Sequence, residues 1–322
     1  ATVCPCSASP HRIGCDMSLL VVGSVALDSI STPFGEVTDA LGGSAVYFSA
    51  AASLLGPVRV VGVVGSDYPV AQLQRIRPGV IDWSGVESQK GESFRWKGKY
   101  SFDLSSRETL DTRLGVFANF RPTLPPSFAS TPFVFLGNID PELQLSVLNQ
   151  MERPKLVACD SMNYWIESKK PQLLEVLKRV DTLLLNDSEL RELSGDWNVH
   201  RAGRWVLGRG PRRVVVKRGE YGALLIEPGK TFFVPAFPLE EVFDPTGAGD
   251  SFAGGFLGYL ARTGDLSSEG LRRAMVCGAV MGSYAVAKFS ISGFDGVTPL
   301  SLQQRIAEFH ELTHVDLAGT IG

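Results

Sequence analysis

The strongest chemical signal in the chain is Asp244-Pro245-Thr246-Gly247-Ala248-Gly249-Asp250, with a helical pattern beginning at its end. Glycines let the backbone approach a ligand closely. The first amides of a helix have no internal partner and stand at the positive end of its dipole. Gly247, Ala248 and Gly249 therefore form a candidate anion hole, suited to a phosphoryl group whose charge spreads in the transition state. Asp250 stands beside that hole, where the same dipole favours its ionised form. It is placed to accept a proton from an attacking hydroxyl, the modest base assistance that phosphoryl transfer uses. Ala253, Gly254 and Gly255 are small enough to seat the helix closely against its neighbours.

Two other strings imitate chemistry. His310-Glu311-Leu312-Thr313-His314 fits the H-E-x-x-H pattern of zinc hydrolases. A third ligand is required downstream, and no His or Glu follows His314. Leu302, Ile306 and Phe309 make an apolar stripe that the histidines flank, so the pattern reads as an amphipathic surface helix. Gly229-Lys230-Thr231 imitates the end of a P-loop, but Leu224 stands where its first glycine belongs, and the segment reads as a hairpin. A non-catalytic sugar-binding protein is a third class, disfavoured because a binder needs no Asp250. Cys4, Cys6, His11 and Cys15 crowd the first sixteen positions, yet Cys4-Pro-Cys6 is too tight for usual zinc spacing.

These residues must be positioned by a scaffold. Continuous apolar, β-branched runs occur at 19–23, 58–65, 133–138, 155–160, 182–187 and 213–219, with helical stretches such as 43–55, 141–151 and 170–179 between them. Unbroken rather than alternating hydrophobicity marks strands covered on both faces. The succession predicts an α/β fold with a doubly wound, mostly parallel sheet flanked by helices. Polar residues follow the runs: Asp28, Asp67, Asn138, Asp160, Asn186 with Asp187, and Lys217. They collect at the carboxyl edge of the sheet, where ligands bind in such folds. Segments 31–41 and about 94–117 break the rhythm and predict a small β-sheet lid. In Phe94–Tyr100, Arg95, Lys97 and Lys99 face one way and Phe94, Trp96 and Tyr100 the other. The basic face is expected either over an anion or in solvent, with the aromatics packed on the body.

The 322 residues are 44% hydrophobic and 20% charged, with a formal net charge of −3. This describes an ordinary globule with no general attraction to nucleic acid or an anionic membrane. Five cysteines without a framework point to a reducing cytoplasm. Residues 1–16 read as a loose tail without chemistry, and 17–322 as one domain.

DPTGAGDSFAGGF at 244–256 resembles the signature of the ribokinase-like (PfkB) family of carbohydrate and nucleoside kinases. The resemblance extends from Met17 onward and implies a ribokinase-like fold with ATP and Mg2+ as cofactors. It implies that Asp28, in GSVALD, holds acceptor hydroxyls, with the glycine pair Gly42-Gly43 beside it and Asn138 as a further acceptor-side group. Asn186 and Glu189, in NDSE, would position magnesium and phosphates, with Glu189 acting through water. Lys217, Gly219 and Gly222, in KRGEYG, would border the nucleotide, and helix 274–287 with Gly293 the adenine. Asp244 matches a position that holds potassium in cation-dependent members. Some sugar kinases have Asn where this chain has Tyr47. The implied reaction is transfer of the γ-phosphate to a hydroxymethyl group of a small sugar, with Asp250 as base. A nucleoside acceptor is the alternative, its base lodged against Tyr47 or Phe34. The lid is also a candidate homodimer surface.

Overall fold

The computed structural model describes residues 17–314. The chain opens with β1 (Leu19–Val22) and turns into β2 (Ala26–Thr32) and β3 (Gly35–Gly42), which lead into α1 (Ser44–Ala52). β4 (Val58–Gly65), the short α2 (Val70–Leu73) and β5 (Ile81–Gln89) follow, then β6 (Phe94–Tyr100) and β7 (Arg107–Arg113). From β8 (Phe133–Leu136) the chain alternates regularly: α3 (Pro141–Gln150), β9 (Leu156–Asp160), α4 (Asn163–Ser168), α5 (Lys170–Leu177), β10 (Thr182–Asn186), α6 (Asp187–Ser194), α7 (Val199–Leu207) and β11 (Arg213–Lys217). The hairpin β12 (Ala223–Glu227) and β13 (Lys230–Val234) precedes three helices, α8 (Ala248–Thr263), α9 (Ser268–Ala285) and α10 (Pro299–Thr313).

Nine strands form the main sheet in the order β13-β12-β11-β10-β9-β8-β1-β4-β5. All pairs are parallel from β11 through β5, and β12 and β13 are antiparallel additions. Leu19 and Val21 belong to the core beneath α1, α8 and α9, whereas Leu20 and Val22 belong to the core on the opposite face. That division is why the run is apolar at every position. β1 lies between β4 and β8, so the winding reverses beside β1, where a ligand crevice opens at the strand ends in folds of this kind. Close packing brings α8 to the reversal. A Cβ at Gly254 would lie 2.4 Å from the Phe48 carbonyl, and one at Gly255 2.6 Å from that of Cys277.

The second sheet has the order β3-β2-β6-β7 and forms the lid. It is wider at its root than the expected 31–41, because β2 begins at Ala26. Asp28 therefore lies within a lid strand rather than at the end of the first core strand. The run at 19–28 is two strands broken at Gly23–Val25, a turn closed by reciprocal bonds between Ser24 and Ser44. β7 ends at Arg113, and 115–119 is a 3-10 turn. On the basic face of β6, Lys97 and Lys99 are exposed. Arg95 pairs with Asp39 and Asp67 (2.7 Å to Asp67), and the aromatic face turns inward. Asp67 is thus spent on holding the lid. The segment before Asp244 is irregular. Residues 1–16, with the cysteine cluster, lie outside the described residues.

Candidate active site

Gly247 stands at the N-cap of α8, and its φ of 73° is left-handed and favours glycine. A Cβ there would also stand 2.2 Å from the Tyr47 ring. Tyr47 is thus the floor of the turn, 2% exposed. The Ala248 amide closes a turn onto the Pro245 carbonyl at 3.2 Å. The Gly249 and Asp250 amides have no backbone acceptor among the described residues, and these two are available to an anion. Burial, together with the charge of Asp160, raises the Asp250 carboxyl to about 7, against the pull of Lys217, Arg107 and its own amide. The helix dipole does not prevail here. A half-buried carboxyl near 7 is nonetheless suited to a general base.

Lys217, at the end of β11, donates to Asp160 Oδ2, at the end of β9, across 2.5 Å. Its Nζ lies 3.0 Å from where a Gly249 Cβ would be, which places the ammonium beside the anion hole. Burial opposes that charge, but Asp160, Glu189 and Asp250 outweigh it and raise the lysine pKa. Asn186 caps α6 by accepting the Glu189 amide, while Glu189 Oε2 accepts the Asn186 amide, each at 2.8 Å. Burial and then Asp160 push Glu189 up to about 7. Asp187 instead pairs with Arg191 along the helix surface. Buried carboxylates crowding one lysine suit a divalent cation. Among the described residues, however, no three His, Cys, Asp or Glu side chains converge on one metal position. This donor set fits magnesium held mainly by water and phosphate oxygens.

At the root of the lid, Asp28 is 4% exposed. A Cβ on Gly42 would lie 2.0 Å from its Oδ2, so the glycine pair makes room for this carboxylate. Burial raises Asp28 to about 7; the Gly43 amide lowers it, Asp244 and Asp250 raise it, and Arg107 lowers it. Asn138 follows β8 at the winding reversal, and its Oδ1 is buried without a hydrogen-bond partner among the described residues. The Tyr47 hydroxyl is buried and likewise unpartnered among the described residues. Tyr47 cannot offer its ring to a base, because the Gly247 turn lies against it. Phe34 is at the β2–β3 turn, edge-on to Phe243 at 6.2 Å.

Sequence reasoning missed the inner face of the lid. Tyr100 reaches Thr246 of the glycine-rich loop, hydroxyl to hydroxyl at 3.0 Å. Arg107 stands directly opposite Tyr100 in the ladder. No carboxylate lies within ion-pair distance of it among the described residues, yet it lowers the pKa of Asp28, Glu189 and Asp250. The alternation at 94–100 carried the signal for Trp96 and Tyr100. Nothing in 107–113 singled out Arg107.

Asp244 joins two loops, accepting the Thr246 amide at 2.8 Å and the Ser290 amide at 3.2 Å. Gly219 and Gly222 flank the turn after β11, and a Cβ on Gly222 would lie 2.1 Å from the Val234 carbonyl. Gly293 packs at the Tyr284 carbonyl, 1.9 Å from its Cβ position. Its neighbours border a groove of about 750 Å3 with β3 and Arg77. Asp28, Asp160, Glu189 and Asp250 do not line that groove. His310 and His314 are exposed and stack at 4.9 Å, while Leu302 and Phe309 are buried, as the amphipathic reading expects.

A family model described as pfkB family carbohydrate kinase matches residues 18–292. The chain belongs to this family. Among pfkB relatives, a cytidine kinase of Thermococcus kodakarensis is 31% identical over 251 residues, spanning 76% of this chain and 89% of that protein. The fold superposes on a nucleoside kinase of Methanocaldococcus jannaschii with a TM-score of 0.72, at 20% identity, covering 91% of this chain and 98% of that one. Arabidopsis thaliana ribokinase gives 0.74 at 19% identity, over 89% and 98%. The ribokinase-like fold and phosphoryl transfer to an alcohol stand, and kinase membership sets aside the zinc-hydrolase and binding-protein readings. Among the described residues no helix is long and apolar enough to cross a membrane.

Proposed function

We propose that the protein is an ATP-dependent nucleoside kinase, phosphorylating the hydroxymethyl group of the acceptor's sugar. The kinship that spans 89% of a cytidine kinase carries the choice of acceptor. Asp28 and Asn138 grip sugar hydroxyls, an ionised carboxylate taking two neighbouring donors. Asp250 accepts the proton of the attacking hydroxyl. The Gly249 and Asp250 amides, Lys217 and Arg107 receive the charge on the transferring group. Lys217 moves its donors from Asp160 to phosphate oxygens as it does so.

Glu189 and Asp160 would hold magnesium through water, and bound with ATP it would neutralise phosphate charge. A monovalent cation beside Asp244 would use the lone pairs that the two amides leave free. Loss of turnover on replacing K+ with choline would support it. The reading is tested by ADP release over nucleosides, free sugars and sugar phosphates at saturating ATP. A nucleoside should give the highest kcat/KM. A free sugar or sugar phosphate exceeding every nucleoside would overturn the acceptor assignment.

A further inference from the structure

Trp96 stands in register with Asp28 in the parallel β2–β6 ladder, so the two side chains share one face of the lid. Tyr100 is on that face as well, and it touches the glycine-rich loop. The acceptor-gripping carboxylate and the indole are therefore neighbours on adjacent strands, both turned toward the cleft. The indole is fixed in place. Its Nε1 donates to Thr109 Oγ1 at 3.3 Å, and the Arg107 guanidinium lies 5.4 Å from its ring centroid. Its benzo edge lies over Gly98, so closely that a Cβ there would be 2.1 Å from the ring. Any side chain at 98 would push the indole off the sheet. A half-buried aromatic plate, seated on a glycine beside a hydroxyl-binding carboxylate, suits a ligand with a flat ring next to a polyol.

We infer that Trp96 is the platform on which the acceptor's nucleobase stacks while Asp28 holds its ribose, with Gly98 as the seat that keeps the plate flat. The inference rests on the nucleoside reading and deepens it. Stacking reads the π-face, which every base has, so the platform selects nucleosides over free sugars more than one base over another. Arg107 shares the plate, and a bound base competes with it for the indole face.

The test compares wild type with Trp96→Leu, Trp96→Phe and Gly98→Ala, using cytidine, uridine, adenosine and free ribose as acceptors. Losing a stacking partner is worth roughly a 5- to 150-fold change. Trp96→Leu should raise nucleoside KM about tenfold or more, with a smaller effect on kcat. It should also lower the nucleoside-to-ribose ratio of kcat/KM by a similar factor. Trp96→Phe should recover most of this, and Gly98→Ala should resemble Trp96→Leu. Nucleosides should quench tryptophan emission in wild type and much less in Trp96→Phe. If Trp96→Leu is poorly folded, Gly98→Ala and the quenching decide. Equal losses for ribose and nucleosides, or unshifted nucleoside KM in both variants, would overturn the platform while leaving the nucleoside reading intact. Wild-type protein that phosphorylates ribose but no nucleoside would end both.

Discussion

On the proposed phosphate side of the cleft, Asp160, Asn186, Lys217 and Asp250 are held by the ends of parallel strands and the first turn of a buried helix. On the proposed acceptor side, Asp28, Trp96, Tyr100 and Arg107 ride on a four-stranded sheet whose outer strand β7 is exposed throughout. The first set is fixed by two apolar cores. The second is fixed by a narrower apolar seam, Leu27 in the core and Phe94 stacked on Phe117 at 5.2 Å, and by a few polar contacts: Arg95 to Asp67, Tyr100 to Thr246 and Ser290 to the Leu41 carbonyl. The phosphate side can therefore tolerate little change, while the acceptor side can be rebuilt by substitutions that leave the cores untouched. The same difference predicts how variants divide: changes on the first side act on kcat, and changes on the second act on acceptor KM.

The largest effect should come from Asp250→Asn, with kcat reduced about 10²- to 10⁴-fold and nucleotide binding retained. Turnover within a few-fold of wild type would remove Asp250 as the base. The pH profile of wild-type kcat/KM should fall below about 7, where Asp250 takes up a proton. Arg107→Ala breaks the division most informatively, since Arg107 is on the lid yet faces the phosphate side. A loss of about 10- to 150-fold, the scale of a charged hydrogen bond, should appear mainly in kcat. An effect confined to acceptor KM would place Arg107 with the acceptor alone.

Asp28→Asn should raise acceptor KM about tenfold with little change in ATP KM, and it should also stabilise the ligand-free protein. Asp28 is near 7 when folded and near 4 when unfolded, so the folded state binds more protons between those values. The Asp28 contribution to stability therefore falls as pH rises from about 4 to 7. The variant should melt a few degrees higher than wild type at pH 8, and the gap should close toward pH 4. A lower melting temperature at pH 8 would mean that Asp28 supports the turn rather than the ligand. Glu189→Gln should raise the magnesium concentration for half-maximal activity several-fold, seen by titration at fixed ATP. The smallest effect is expected for His310→Ala combined with His314→Ala, with kcat/KM within twofold of wild type; a larger loss would reopen a metal role for α10.

The phosphate side was legible in the sequence because local rules govern it. Unbroken apolar runs mark the parallel strands, and a glycine-rich turn before a helix marks the anion hole. Lys217 and Asp160 were visible as strand ends, but their pairing required the adjacency of β9, β10 and β11. The acceptor side was less legible because its parts are joined by sheet register, which residue types in a single strand do not reveal. Asp28 reads as the end of a strand until the Gly23–Val25 break is seen. Arg107 lies in a strand exposed at every position and has no pattern to mark it. Tyr47 reads as a base slot by composition, and only the approach of Gly247 shows that its ring is already covered.

The way the lid is strung on the core has a consequence for how acceptor choice can change. Two chain segments supply it, 26–42 and 94–113, each entering and leaving near the same end of the main sheet. The second hairpin carries Trp96, Gly98, Tyr100 and Arg107 within twelve consecutive residues. One short cassette therefore holds most of the acceptor-facing lid, with α8 and the strand-end cluster encoded elsewhere. Recombination or grafting at that single hairpin can trade one acceptor preference for another, provided that Arg107 and the Tyr100–Thr246 contact, which reach the phosphate side, are kept.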